Sequence, residues 1–401
     1  MIAIAFLSLL AAPTRVVSCP VTPPASIETY PIRIPIELFG NHVYMKVCAG
    51  ERELEFILDT GAGQNFLDMR VARASGVTLG THFFGRGAGA GTIDGAAVSN
   101  AAVAIENTNV SVPIGAALDL SGLPPREGHR IDGIFGYSFI GRYVVMIDYV
   151  HSELRLYDPD RFAYSGPGAS LPITFVANHP VISAAIRLAD GSTLDGRFVV
   201  DVGAAPALSL TWPFVQSNRL QSRIQPLLHR VGGGGVGGPT ASDEGRVPAL
   251  RLGGLELHDV ITNLYGDSAG VLSGNGGWVG NIGADILKRF TVYLDYRHNR
   301  IILEPHAGTN EPFEADMSGV AFMLAAPASR LLVTDVARPS PASEAGLVVG
   351  DTVVAVDGAP PSEDVLTRLR QRLRREGENI ELSILRGGAT TTIRFRTRRL
   401  I

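Results

Sequence analysis

The sequence predicts a mainly β protein in which two tandem copies of one folding unit precede a smaller α+β domain. Its 401 residues suffice for two to three domains of about 150 residues each. Short apolar runs bounded by Gly, Pro and Asn, such as Phe56–Leu58 and Val292–Leu294, predict strands over most of the chain. Helical periodicity is scarce before residue 363, so the single clear helix belongs to the third domain.

Composition excludes several classes of protein. Apolar residues make up 45% and charged residues 18% of the chain, which excludes a disordered or coiled-coil protein. The formal net charge of −4 gives no general attraction to nucleic acid, so we expect no nucleic-acid partner. The only two cysteines, Cys19 and Cys48, are too few for a disulfide scaffold or a cysteine-built zinc site. We expect neither a metal nor a cofactor.

The first element is an apolar segment, Ile2–Ala12, which has the length of a signal-peptide core and is too short to span a bilayer. We interpret residues 1–18 as a signal peptide and expect an extracytoplasmic protein, periplasmic or secreted, with no integral membrane span. Cys19 follows directly. The sequence leaves open whether Cys19 carries a lipid anchor, forms a disulfide with Cys48 or stays a thiol.

The next elements form an internal repeat, because three short motifs occur twice in the same order. Residues 27–160 and 165–305 are therefore two copies of one unit, named here lobe 1 and lobe 2. The spacing between the copies grows along the chain, as insertions in loops would cause. The paired motifs are Pro35-Ile36 with Asn41-His42 and Pro172-Ile173 with Asn178-His179, Phe56–Ala62 and Phe198–Ala204, and Gly133–Gly136 and Gly280–Gly283.

The second motif places one aspartate in each lobe, Asp59 and Asp201, directly after an apolar triplet. Gly61 and Gly203 let the backbone turn sharply, so that N–H groups face the carboxylates. A pseudo-two-fold axis between the lobes would bring the two carboxylates together. Since like charges in contact cannot both ionise, the pair would hold one proton over a wide pH range. One carboxylate then activates water while the other donates a proton to a scissile carbonyl.

With Asp59-Thr60-Gly61 followed by Ile134-Phe135-Gly136, residues 30–305 resemble a retropepsin-like or pepsin-like bacterial aspartic protease with two lobes. The resemblance implies closed β-barrel lobes related by a pseudo-two-fold axis, Asp59 and Asp201 as catalytic residues, and a polypeptide substrate. In the second copy, Ile282 and Gly283 match the apolar-Gly motif that supports the active-site loop.

The family also has flap hairpins, which open for substrate and close to expel water. Glycine-rich segments follow each Asp in the chain. Their candidate flap residues are Gly87, Gly89, Gly91, Gly235 and Gly237. The alternative for the second stretch is a disordered surface loop.

Val202 departs from the family, because a Thr or Ser hydroxyl is expected between Asp201 and Gly203 to bond the opposite loop. This change favours one alternative, a catalytically inactive scaffold that binds peptides. A homodimer built from Asp59 pairs is another, against which the presence of Asp201 argues. The favoured interpretation is an aspartic endopeptidase. Because Ala62 and Ala204 offer no hydroxyl to the aspartates, we expect activity in mildly acidic to near-neutral solution.

After a linker, Pro305–Pro312, residues 315–399 resemble the PDZ domains attached to bacterial extracytoplasmic proteases. The resemblance rests on Pro341–Leu347, Gly350-Asp351 and Val354–Gly358. It implies that a peptide or C-terminal segment binds beside a strand, with its carboxylate held by backbone N–H groups.

The expected carboxylate loop is Gly319, Val320, Ala321 and Phe322, in which Ala321 replaces the family's second Gly. A helix over Glu363–Arg375 carries leucines on one face. We expect Leu366, near the start of this helix, to reach the groove while the other leucines enter the core.

Overall fold

The computed structural model describes residues 30–266, 276–325 and 329–401. The predicted signal peptide and Cys19 lie outside these ranges. Cys48 is disulfide-bonded. In the described part of the chain, no helix has the length and apolar character needed to cross a membrane.

Lobe 1 is built of short strands with three brief helices. Its strands are β1 Ile32–Pro35, β2 Glu37–Phe39, β3 His42–Ala49, β4 Arg52–Leu58, β5 Phe66–Asp68, β6 Leu79–Arg86, β7 Thr92–Ile105, β8 Ser111–Leu118, β9 Gly133–Phe135, β10 Val144–Asp148 and β11 Glu153–Tyr157. Its helices are α1 Met69–Ala74, α2 Leu123–Glu127 and α3 Tyr137–Ile140.

Lobe 2 repeats the order of the strands, while two of its helices lie together between its fifth and sixth strands. Its strands are β12 Ala169–Pro172, β13 Thr174–Val176, β14 His179–Arg187, β15 Thr193–Asp201, β16 Leu208–Leu210, β17 Leu228–Gly235, β18 Gly238–Leu252, β19 Leu255–Tyr265, β20 Gly280–Gly283, β21 Phe290–Asp295 and β22 Arg300–Pro305. Its helices are α4 Trp212–Ser217, α5 Leu220–Arg223 and α6 Ala284–Leu287.

Each lobe closes into a six-stranded barrel. In lobe 1 the strand order is β2-β3-β4-β9-β5-β8-β7-β6, and an extra pairing of β3 with β7 closes the ring. Lobe 2 has the equivalent order, β13-β14-β15-β20-β16-β19-β18-β17, closed by β14 with β18. Closure leaves few free sheet edges and encloses a core of alternating apolar side chains. The mainly β fold with two closed-barrel lobes is confirmed.

A six-stranded antiparallel sheet joins the lobes, in the order β1-β11-β10-β21-β22-β12. Its central pair is β10 with β21, in which Met146 lies opposite Tyr293. The flanking pairs, Val145 with Leu294 and Ile147 with Val292, exchange under the repeat, so the pseudo-two-fold axis passes beside Met146 and Tyr293. One continuous apolar core runs through both lobes and this sheet.

The strand ends after this sheet are fixed by aspartates. Asp148 accepts hydrogen bonds from the backbone N–H groups of Val150 and His151. Asp295 accepts one from His298 at the equivalent turn. Such caps are the usual task of a carboxylate at a turn, so neither residue is needed to explain the site below.

The C-terminal domain has its own core and a five-stranded sheet in the order β23-β24-β25-β26-β27. Its helix α8 ends three residues earlier than predicted, and Leu366, Leu369 and Leu373 enter the core. The elements are β23 Val320–Ala325, β24 Arg330–Val336, α7 Pro341–Glu344, β25 Thr352–Val356, α8 Glu363–Arg372, β26 Asn379–Arg386 and β27 Ala389–Arg396.

The predicted linker packs against lobe 2. The ring of Phe313 lies under the Arg289 guanidinium, 3.6 Å from ring centroid to Cζ. Arg289 also donates to the backbone carbonyls of Glu311 and Pro312, and His306 Nε2 lies 3.0 Å from the carbonyl of Lys288. The C-terminal domain is therefore anchored to lobe 2 through its connecting segment.

Candidate active site

The two aspartates of the repeat meet at the interface between the lobes, where Asp59 lies against Gly203 and Asp201 lies against Gly61. Each sits at the end of a buried strand, β4 or β15, and accepts a hydrogen bond from its own loop. Gly61 N–H lies 2.7 Å from Asp59 Oδ1, and Gly203 N–H lies 3.1 Å from Asp201 Oδ1. The structure therefore brings together the pair that the repeat predicted.

The surroundings favour the protonated form of both carboxyl groups. Burial raises the pKa of Asp59 well above its ordinary value, and the negative charge of Asp201 raises it further. Burial also raises the pKa of Asp201, against hydrogen bonds from Asp59 and Gly203 that favour its ionised form. A singly protonated pair is the state in which one carboxyl accepts a proton while the other donates one.

Gly61 and Gly203 are required by close approach. A Cβ on Gly61 would lie 2.7 Å from Asp201 Oδ2, and one on Gly203 would lie 2.3 Å from Asp59 Cγ. Gly136 and Gly283 are required for the same reason. A Cβ on Gly136 would lie 2.3 Å from the carbonyl oxygen of Ala62, and one on Gly283 would lie 2.1 Å from that of Pro206. These glycines let the two loops pack against each other and against their supporting strands.

The apolar residues before these glycines lie where the motif placed them. β9 runs parallel to β4, so that Ile134 and Phe135 pair with Ile57 and Leu58. In lobe 2, β20 pairs with β15 in the same way, and Ile282 is fully buried. Both active-site loops are therefore held from beneath by buried strands.

Thr60 makes two hydrogen bonds across the lobes, and Val202 has no hydroxyl with which to make the equivalent bonds. The Thr60 hydroxyl donates to the carbonyl of Val200 over 2.6 Å and accepts the N–H of Val202 over 2.9 Å. The N–H of Val202 is therefore satisfied, and the valine side chain is fully buried. The loops are tied together by one hydroxyl instead of two.

A second cross-lobe contact was not foreseen from the repeated Asn-His motif. Asn41 donates to the carbonyl of Ala205 over 2.9 Å, and Asn178 donates to the carbonyl of Gly63 over 3.1 Å. Ala205 and Gly63 are each four residues beyond an aspartate of the pair. The same motif in each lobe thus holds the active-site loop of the other.

Asn281 is the functional candidate that sequence reasoning missed. Its Nδ2 lies 2.9 Å from Asp201 Oδ2. The equivalent residue of lobe 1 is Ile134, which offers no donor. The available signal was this break in the repeat, an amide at a position where the motif has an apolar residue.

Both glycine-rich segments form hairpins, β6–β7 and β17–β18, whose tips meet. Gly89 N–H donates to the carbonyl of Val236 over 2.9 Å, and Gly91 N–H to that of Gly237 over 2.8 Å. Gly87 lies against Val236, and Gly235 lies beside Ala88. The second segment is therefore an ordered hairpin and not a loop without structure. Two flaps of similar length meet tip to tip.

One cluster has the residue types of a metal site. The ligand atoms of Glu37, Glu55 and His129 lie within 4.8 Å of one another. The hydrogen bond to Glu55 raises the pKa of His129, as an ion pair with a carboxylate would. An ion-pair cluster explains these contacts, and none of the three residues belongs to the aspartate pair.

Family comparisons agree with this geometry. Residues 43–139 match the aspartyl protease family, and residues 332–386 match the PDZ domain family. The chain carries an aspartyl protease domain and a PDZ domain. The matched part of the protease domain includes Asp59, the first flap and Gly136, while lobe 2 is related to it by strand order. No curated protein matches the chain significantly.

The residues predicted to form the PDZ carboxylate loop lie at the start of the first strand of that domain. Gly319 has a φ of +78° and precedes β23, which contains Val320, Ala321 and Phe322. Leu366, which we expected to reach the groove, is fully buried. A Cβ on Gly128 of lobe 1 would lie 2.8 Å from its Cδ2, so lobe 1 covers this end of the groove.

Proposed function

We propose that the protein is an aspartic endopeptidase that hydrolyses peptide bonds with a water activated by Asp59 and Asp201. The observation that carries this proposal is the meeting of the two aspartates at the interface of two equivalent lobes, where each lies against the loop glycine of the other. The polypeptide substrate would lie between this pair and the two flaps. PDZ and protease domains both act on peptide segments, which agrees with a polypeptide partner.

The chemistry follows from a singly protonated pair. The ionised carboxylate removes a proton from a water whose oxygen attacks the carbonyl carbon of the scissile bond. The protonated carboxyl donates its proton to the carbonyl oxygen, which gives a tetrahedral diol. Collapse of this diol breaks the C–N bond as the nitrogen is protonated. No covalent enzyme intermediate forms.

The flaps supply exclusion of water. Their contact is made by backbone hydrogen bonds between glycine-rich tips, which separate without disturbing a packed core. The side chain of Val236 packs against the apolar cluster of lobe 1 that contains Ile57 and Ile134. An extended peptide would take the place of this contact when the tips part.

We further propose that the protein works outside the cytoplasm. The apolar segment Ile2–Ala12 supports export. The disulfide at Cys48 is typical of an oxidising compartment. A lipid anchor at Cys19 is the alternative, but it would leave Cys48 without a cysteine partner in the chain; mass spectrometry of the mature protein from its native host distinguishes a lipid from a disulfide.

The test is hydrolysis of an unfolded protein by the full chain over a range of pH. We expect fragments from the wild type and none from Asp59→Asn or Asp201→Asn. Asp160→Asn is the matched control, because Asp160 is exposed and contacts only Arg297 among the described ion pairs. Cleavage by both Asn variants of the pair would overturn the proposal.

The second candidate is an inactive scaffold that binds peptides, and Val202 is the observation that favours it. A wild type that binds the unfolded substrate without cleaving it at any pH would establish that function instead. Peptide binding that persists in Asp59→Asn does not separate the two candidates, so product formation by the wild type is the deciding measurement.

A further inference from the structure

The hydrogen bonds to the aspartate pair are not symmetric. Each aspartate receives the N–H of its own loop glycine at Oδ1. Only Asp201 also receives a side-chain amide, from Asn281 at Oδ2. The lobe 1 counterpart, Ile134, is 2% exposed and belongs to an apolar cluster.

The position of Asn281 in its strand determines that its amide contacts Asp201. Asn281 lies in β20, which pairs with β15 on one side and β16 on the other, so its backbone cannot shift without disturbing the barrel. Its Oδ1 is buried and has no hydrogen-bond partner among the described residues. The amide is thus held at Asp201 by the strand and not by a competing side-chain contact.

An N–H donor stabilises a carboxylate more than a carboxylic acid. We propose that Asn281 is a positioning residue that keeps the negative charge of the pair on Asp201 and leaves the shared proton on Asp59. This inference rests on the proposed function and assigns the two roles within it. Asp201 takes the proton from water, and Asp59 donates to the scissile carbonyl. The assignment follows from the amide of Asn281, and the positive charge of His179, which lowers the pKa of Asp201, acts in the same direction.

The experiment compares Asn281→Leu, which removes the donor at similar volume, with Ile134→Asn, which adds a donor on the other side. Carbon-13 NMR of aspartate carboxyl groups follows the titration of the pair in the full chain, with resonances assigned by Asp59→Asn and Asp201→Asn. In the wild type we expect Asp201 to be ionised where Asp59 is protonated. Asn281→Leu should bring the two titrations together, and an unchanged titration would overturn the proposal.

Kinetics give the second measurement. The acidic limb of the kcat/KM profile reports the lower ionisation of the pair, so Asn281→Leu should move it upward by about one pH unit. kcat should fall while KM changes little, because Asn281 acts through Asp201. If the wild type lacks protease activity, the NMR titration still decides the role of Asn281, so failure of this inference and failure of the proposed function are distinguishable.

A different observation concerns the PDZ groove, which runs between β23 and α8. Arg370 on α8 donates to the carbonyls of Arg126 and Glu127 over 2.7 and 2.6 Å, at the C-terminal end of α2. The same guanidinium lies 3.4 Å from the carbonyl of Phe322 in β23. One side chain therefore joins both walls of the groove to lobe 1.

The contact continues along the groove. His129 Nδ1 lies 3.8 Å from Glu363 at the start of α8, and Leu366 is covered by Gly128. A cavity of about 680 Å³ remains beside this contact, lined in part by Pro124 and Leu324. β23 is thus tied through Arg370 to a segment of the same chain at Phe322, while the cavity lies farther along the strand, at Leu324.

We infer that the segment Leu123–His129 occupies the peptide groove of the PDZ domain, and that a peptide with a free C-terminal carboxylate must displace this segment to bind. The segment begins at Leu123, which packs in the apolar cluster with Ile57 and Ile134 of the active-site loop. Displacement of the segment would therefore change the packing beside the aspartate pair. This contact does not depend on whether the protein is an active protease.

The test uses decapeptides with randomised last four residues, prepared with either a free or an amidated C-terminus. Arg370→Met removes the bonds to α2 while keeping the apolar stem, and Arg368→Met on the exposed face of α8 is the control. We expect the free-acid mixture to bind Arg370→Met several-fold more tightly than the wild type or Arg368→Met. Equal binding by all three, or equal binding of the amidated mixture, would overturn the inference.

Hydrogen exchange of the full chain provides a readout without added affinity measurements. Saturating free-acid peptide should protect the amides of β23 and expose those of residues 123–129. Protection of β23 with no change in residues 123–129 would contradict displacement.

Discussion

Asn41 and Asn178 occupy equivalent positions in the two lobes, and each donates its side-chain amide to the loop that follows the aspartate of the other lobe. Both residues have a positive φ, 72° and 68°, which asparagine tolerates better than most residues. The pseudo-two-fold axis is therefore built from paired cross-lobe contacts as well as from the shared sheet.

Replacing each asparagine by glycine tests this relationship without backbone strain, because glycine accepts a positive φ. Asn41→Gly should lower the free energy of unfolding by about 1 kcal/mol or more, because Asn41 loses its bond to Ala205 and also the one it accepts from Lys288. Asn178→Gly should lower it by less because Asn178 is exposed. Urea denaturation measures both. Asn107→Gly, at a φ of 58°, reports the entropy cost of glycine alone. A loss no larger than in that control would contradict the contact.

The single hydroxyl bridge at Thr60 predicts the effect of restoring its partner. Val202→Thr would place a hydroxyl near the N–H of Thr60 and the carbonyl of Leu58, the symmetric counterparts of the groups that Thr60 contacts. We expect a gain of about 1 kcal/mol in unfolding free energy. Thr60→Val should cost about 1–3 kcal/mol because the buried N–H of Val202 loses its acceptor.

Exchanging the two residues provides the matched control. Thr60→Val with Val202→Thr should recover most of the loss of Thr60→Val, since the bridge then runs in the opposite direction. If the double variant is as unstable as the single one, the loops have repacked around Val202 and the two-fold argument fails at this position.

The raised pKa of Asp59 makes stability depend on pH. A carboxyl whose pKa is raised in the folded state contributes stability that is fully present below its unfolded pKa of about 3.9 and is lost as pH rises through the folded pKa. Asp59→Asn mimics the protonated form, so the wild type should lose stability relative to this variant from about pH 4 upward. Thermal unfolding at matched pH values measures the difference in stability. A difference that stays constant with pH would show that the pKa of Asp59 is not raised in the folded protein.

Hydroxyl residues beside the aspartates should move different limbs of the activity profile. Ala62→Ser offers a donor to Asp59, lowers the pKa of the proton-donating carboxyl, and should shift the alkaline limb to lower pH. Ala204→Ser faces Asp201, which already has Asn281 as a donor, so its effect on that limb should be smaller. Profiles of kcat/KM for the three proteins test this order. An equal shift by both variants would contradict it.

The PDZ domain is docked on the second flap through a buried ion pair. Arg230 in β17 lies 2.8 Å from Asp335 in β24 and 3.5 Å from Asp316. Arg230→Met should cost about 3–5 kcal/mol of unfolding free energy because it leaves a buried carboxylate unpaired. Adding Asp335→Leu should recover most of this loss. Arg33→Met, which breaks an exposed pair with Glu153, should cost about 1 kcal/mol or less.

This docking also changes what truncation is expected to do. A PDZ domain joined only by a linker could be removed at Phe313 without harm to the protease lobes. In the structure, removal would uncover Leu228 and leave Arg230 without its partners. We therefore expect a shortened chain to be less stable than the full chain by denaturant unfolding, and equal stability would show that the docking contributes little.

Much of the candidate site could be predicted from the sequence, because an internal repeat indicates that the fold is symmetric. Two copies of one motif on one chain predict a two-fold axis, and the axis predicts that Asp59 meets Asp201. Local chemistry predicted the glycines as well, since the turn after each Asp needs a residue without a side chain.

What departs from the repeat was decided by the tertiary structure. Asn281 acts on Asp201 only because β20 lies beside β15, and Leu366 is covered only because α2 of lobe 1 reaches the PDZ groove. The contact of the two flap tips and the ion pair of Arg230 with Asp335 join residues far apart in the chain. The sequence by itself determined the elements and their symmetry, which depend on local pattern. Packing between the domains determined which aspartates meet, which segment covers the PDZ groove and which charged groups form ion pairs. Burial and distance exist only once the chain has folded.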